Sequence, residues 1–108
     1  MRKIDEKTSE YFLNDKNFSL GNTKVKDKAV YLHGNKIIEK INSDMVFDTC
    51  GHRTPTTKSR MNSVLKQFGF SIYQKNHDWF LKFPNGETFE IVADSFTVPM
   101  DLSCFRFA

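Results

Sequence analysis

Cysteine is scarce in this chain: Cys50 and Cys104 are the only two. Two thiols cannot build a multi-bridge framework, so the expectation is a reduced, cytosolic protein. Glycine is scarce as well, with five in all, and none are grouped into a loop that would cradle a phosphate. There is no G-x-S-x-G elbow, no H-E-x-x-H pair and no cluster of carboxylates, which argues against a serine hydrolase, a zinc protease and a two-metal nuclease. No apolar run approaches the 18 residues of a membrane-spanning helix. The first ten residues, MRKIDEKTSE, are basic but lack the apolar stretch of a secretory signal. No internal repeat and no low-complexity tract is visible.

What the chain does have is aromatic side chains. Eleven Phe, three Tyr and one Trp stand among 108 residues, enough apolar bulk for one folded core. The net charge is only +3, but it is unevenly spread. Residues 1–48 carry nine Lys or Arg against eight Asp or Glu. Residues 49–77 carry Arg53, Lys58, Arg60, Lys66 and Lys75 with no acid, and His52 and His77 besides. Residues 78–108 carry two bases against five acids. If the middle block folds onto one face, that face attracts anions such as phosphate or carboxylate. Five bases in 29 residues is ordinary density, however; only the missing acids are unusual.

The alternation of Val30 and Leu32 against Tyr31 and His33 predicts a strand at Ala29–His33. Gly34-Asn35 reads as a hairpin turn, Lys36–Ile41 as the returning strand and Met45–Thr49 as a third. Met61, Val64, Leu65 and Phe68 fall at i, i+3, i+4 and i+7, one apolar stripe, and predict a helix over about 57–68. Pro55 blocks helix before it, Thr56 or Thr57 supplies the N-cap, and Gly69 stands where a left-handed C-terminal residue is wanted. Strands follow at Phe70–Lys75, Trp79–Phe83 and Glu87–Ala93. Phe96, Val98, Leu102, Phe105 and Phe107 make the tail too apolar to be left in water, so it packs back or pairs with a sheet edge. The expected fold is α+β: a small, mostly antiparallel sheet of five to six short strands with one amphipathic helix on one face. Residues 1–26 are expected to form an arm or a short helix at about 5–14, and residues 27–108 the single domain.

The stretch Cys50–Asn62 (CGHRTPTTKSRMN) is the most distinctive. His52, Arg53, Thr54, Thr56, Thr57, Lys58 and Arg60 crowd the start of the predicted helix, where free amides and the helix dipole favour an anion. Lys58 and Arg60 lie off the apolar stripe, which predicts that they face solvent. Lys66, Tyr73 and Lys75 extend the candidate nucleic-acid or anion surface, since exposed aromatics beside bases stack on nucleobases. The plainer reading is a capping motif with solvated charges, which accounts for one or two of the threonines. For Trp79, Leu81 and Phe83 the core is the better reading. Cys50-Gly51-His52 has the look of half a zinc site, but structural zinc wants two close ligand pairs. Nor does any motif supply Cys50 with a positioned base and an orienting group. No catalytic residue, metal or cofactor is expected.

Three runs, Leu32–Ile37 (LHGNKI), Cys50–Asn62 and Ile72–Leu81 (IYQKNHDWFL), give the chain a resemblance to a family of small tailed-bacteriophage proteins. Its pattern is L-H-G-N-x-I, then G-aromatic-x-T-x-T-T-x-x-R-L-N, then Q-K and W-aromatic-L. The likeness covers about residues 30–83; His52 stands where an aromatic is usual and Met61 where a leucine is. It implies a phage origin and action in the cytoplasm of an infected bacterium, and carries no chemistry with it. The sequence therefore leads to a non-enzymatic phage accessory protein that binds nucleic acid through the basic helix start. The rival expectation is a phage inhibitor that binds a host or anti-phage defence protein.

Overall fold

The computed structural model describes residues 3–99. Among these, α1 (Lys3–Leu13) precedes five strands: β1 (Phe18–Leu20), β2 (Thr23–Lys26), β3 (Ala29–Leu32), β4 (Asn35–Ile41) and β5 (Asp44–Asp48). Then come α2 (Pro55–Leu65), a 3₁₀ turn (Lys66–Phe68), and β6 (Ser71–Lys75), β7 (Asp78–Lys82), β8 (Thr88–Glu90) and β9 (Ser95–Pro99). The strands form two antiparallel sheets, one of six in the order β1-β2-β3-β4-β5-β9 and one of three in the order β6-β7-β8. The fold is α+β as expected. It has two sheets where one was expected, and two helices where one was expected to cover the sheet.

Tight hairpins account for the meander. Asp27-Lys28, His33-Gly34 and Asn76-His77 are two-residue loops whose central residues all have positive φ. That twist matches the twist of paired strands. The turn expected at Gly34-Asn35 therefore falls on His33-Gly34: Asn35 already pairs with Leu32. Between β3 and β4 the register shifts, Tyr31 pairing with Lys36 and Val30 with Ile38. The extra residue, Ile37, lets both Ile37 and Ile38 reach the core.

Register also aligns the core. Val25, Val30, Ile38, Phe47 and Phe96 lie side by side across β2, β3, β4, β5 and β9. Onto that face pack Phe12 of α1, Met61, Val64 and Leu65 of α2, Phe70 just before β6, and Ile72, Trp79 and Leu81 of the second sheet, in one cluster. Each such side chain contributes about 1.5–3 kcal/mol by leaving water.

The helix of residues 57–68 is found, shifted. It begins at Pro55, and its last three expected residues tighten into the 3₁₀ turn. Gly69 follows at φ 85°. A β-carbon there would lie 3.0 Å from Pro84 Cγ, so both backbone and space call for glycine. Phe68 is consequently half-buried, while Leu65 is fully buried.

Residues 1–26 do not separate from the rest as an arm. The expected boundary at 26/27 falls in the tight β2–β3 loop, and β1 and β2 belong to the large sheet. α1 buries Asp5, Thr8, Ser9 and Phe12. Its buried hydroxyls are satisfied by its own backbone, Thr8 donating to Ile4 O and Ser9 to Glu6 O. The start of the tail pairs with the sheet edge as expected, Phe96 opposite Phe47 and Val98 opposite Met45. Leu102, Cys104, Phe105 and Phe107 lie outside the described residues.

Candidate nucleic-acid interface

The start of α2 is built differently from the sequence expectation. Thr54, not Thr56 or Thr57, is the N-cap: its Oγ1 accepts from Thr57 N at 3.1 Å. The reason is Pro55, whose fixed φ and missing N–H suit the first helical position, which moves the cap one residue upstream. Thr57 is buried, its hydroxyl 3.0 Å from that of Thr54. Two of the clustered threonines are thus spent on the cap.

Arg60 does not face solvent. Only 3% of its side chain is exposed; Nη1 lies 2.5 Å from Asp5 Oδ1, and Nε donates to Thr23 Oγ1 at 2.9 Å. Ser59 Oγ donates to the other Asp5 oxygen at 2.6 Å. The flank of α2 beside the apolar stripe is covered by α1, which turns a polar position into an interior one. Arg53 is committed as well. Its Nη2 donates to the carbonyls of Ile91 and Ala93 at 2.9 and 3.2 Å, and its guanidinium stands 5.8 Å from the centroid of the Trp79 ring. It fastens the loop before α2 to the segment after β8. Its Nη2 is thereby spent on backbone carbonyls.

The other predicted site residues are scattered. Lys66 is exposed at the far end of α2 from the cap. Tyr73 and Lys75 are exposed on the outer face of the small sheet, where Tyr73 stacks on Phe80 with centroids 5.3 Å apart. Lys75 pairs in register with Asp78 there. Lys58 is half-buried on α2. What the structure does bring together is His52, Thr54, Thr56 and Thr57, which line a cavity of about 390 Å³ with His33, Asn35, Thr49, Leu32 and Ile37.

A larger groove of about 600 Å³ lies over the β1–β3 corner of the six-stranded sheet, lined among others by Ser19, Asn22, Lys24, Lys26, Tyr31 and His33. Asp27 is the one carboxylate that lines it. Alternation puts Thr23 and Val25 in the interior and Lys24 and Lys26 in solvent. Register then sets Lys24 beside Tyr31 and Tyr31 beside Lys36. Lys36 is paired with Glu39 at 3.1 Å, and that hydrogen bond raises its pKa. Lys24 and Lys26 take part in no ion pair among the described residues. Sequence reasoning passed over these two because their block is balanced in charge. The signal was the K-V-K alternation at residues 24–26.

Cys50 lines neither cavity. Its Sγ donates to Lys36 O at 3.3 Å, and burial, with Asp48 and Asp94 adding to it, pushes the thiol pKa up. A thiol held protonated is a poor nucleophile and a poor metal ligand. Among the described residues no three His, Cys, Asp or Glu side chains converge as a metal site requires.

The fold and surface define a small α+β protein whose open sheet face combines lysines with a tyrosine. A family model, Kyanoviridae Gp96 protein, matches residues 1–102, and the chain belongs to this phage protein family. The match fits the tailed-phage resemblance read from the motifs and extends over α1, β1 and β2, which those motifs left out. No curated protein and no solved structure matches the chain.

Proposed function

We propose that this phage protein is a non-enzymatic accessory factor that binds nucleic acid in the cytoplasm of the infected bacterium. The basic start of α2, on which that reading first rested, has lost Arg53 and Arg60 to structural roles. The observation that now carries it is the pair of exposed lysines on β2, Lys24 and Lys26, beside Tyr31 of β3, all three lining the 600 Å³ groove. Lysines that neutralise phosphates beside an aromatic that stacks on a base are the two components of sequence-tolerant nucleic-acid binding.

Titrating generic DNA and RNA oligonucleotides at rising salt tests it. Binding should weaken steeply with salt, and Lys24→Ala and Lys26→Ala should each lower the slope of log K against log salt by about one. Absence of binding at low salt overturns the reading. A second reading, inhibition of a host or anti-phage defence protein, is favoured by the exposed Phe89 and Val92, which border a groove of about 300 Å³ together with Phe83 and Phe96. In that case oligonucleotides do not bind, and Phe89→Ser or Val92→Ser abolishes capture of the host protein.

A further inference from the structure

Resting on the nucleic-acid reading, we propose that the ligand is a single strand, and that it runs over His33 from the groove beside Tyr31 into the cavity at the start of α2. The two cavities, of about 600 and 390 Å³, have His33 as a common wall. His33 sits at the tip of the β3–β4 hairpin with φ 51° and is exposed, so it stands between them as a ridge with a ring nitrogen available to a phosphate.

The lining changes character along the path. The first cavity offers ammonium groups at Lys24 and Lys26 and the half-buried ring of Tyr31. The second offers His52, Asn35 and Thr56 as donors above an apolar floor of Leu32 and Ile37. Only one carboxylate, Asp27, lines the whole path. Each cavity is within the range that suits a group the size of a nucleotide. A duplex keeps the faces of its bases inside its own stack, so only an unstacked base can lie against a ring that lines a concave site. The same face engaging a duplex would use the lysines alone and leave Tyr31 idle.

Fluorescence anisotropy with an eight-residue oligothymidylate, a duplex of the same length and thymidine monophosphate tests this on the full chain. The single strand should bind at least tenfold more tightly than the duplex. Tyr31→Ala should cost about tenfold for the single strand and leave the duplex unchanged, while Tyr31→Phe, which keeps the ring, should bind as the parent does. His52→Ala with Thr56→Ala should weaken the oligothymidylate several-fold and thymidine monophosphate less, because the monophosphate keeps the groove beside Tyr31 and only the longer ligand must occupy both cavities. Duplex and single strand binding equally, with Tyr31→Ala without effect, overturns the single-strand inference and leaves the nucleic-acid reading standing. An oligothymidylate indifferent to His52 and Thr56 overturns the path over His33. Binding of neither nucleic acid overturns the underlying reading and this inference with it.

Discussion

Arg60 and Asp5 form an ion pair between α2 and α1 with 3% and 2% of their side chains exposed. Taking two charges out of water is expensive, and here the cost is offset by the short contact together with Thr23 and Ser59. The pair also fixes the orientation of α1, since one residue of the first turn must meet one residue in the middle of α2.

Arg60→Ala removes the guanidinium that neutralises a buried carboxylate and should lower the unfolding free energy by roughly 3–5 kcal/mol. Asp5→Leu combined with Arg60→Met should recover most of that loss, because an apolar pair of similar volume needs no desolvation. Urea unfolding of the three proteins measures both. A loss below about 1 kcal/mol for Arg60→Ala contradicts the burial.

The cap makes a sharper comparison. Thr54→Ala removes the oxygen that accepts from Thr57 N and should cost about 1 kcal/mol. Thr56→Ala, one residue past Pro55 and outside the cap, should stay within about 0.5 kcal/mol. Thermal melts in which Thr56→Ala is the more damaging change would place the cap where the sequence first suggested.

Within the apolar stripe of α2 the costs should be graded. Leu65 is fully buried, and Leu65→Ala should cost roughly 2–5 kcal/mol. Phe68, half-buried in the 3₁₀ turn, should cost less on truncation despite its larger side chain. Equal losses in chemical denaturation would mean that Phe68 is as deep as Leu65.

Cys50 provides the pH prediction. Its thiol pKa is raised by burial first and then by Asp48 and Asp94, so the reactive thiolate appears only at higher pH than for an ordinary cysteine. In a Cys104→Ser background, iodoacetamide should label Cys50 more slowly at pH 8 than in the unfolded chain, with the rate still rising above pH 9. Asp48→Asn keeps an acceptor for Cys50 N but removes one negative charge, and should speed labelling at pH 8. Labelling as fast as in the unfolded chain would show the thiol to be free in solvent.

Local patterns survived folding where one element settles them. The alternation at Val30 and Leu32, the spacing of Met61, Val64 and Leu65, and Gly69 past the helix end each depend on neighbours a few residues away, and each is found. The split into two sheets, and the choice of β5 as the edge that β9 joins, were not legible, because strand partnership depends on contacts distant in sequence.

The candidate site shows the division most clearly. By itself the sequence determined that a helix starts beside Pro55 and the threonines and that Trp79 is a core residue. Only the tertiary structure decided which charges remain available. Arg60 is polar on a helix whose apolar stripe points elsewhere, and no local rule reveals that α1 brings Asp5 against it. Arg53 is drawn to carbonyls 38 and 40 residues away. Lys24, Tyr31 and Lys36 become neighbours through two hairpins and a register shift. The physical reason is common to all three. A charge seeks whatever partner or solvent the packed chain leaves it, and packing is settled by the burial of apolar faces whose partners lie far along the chain.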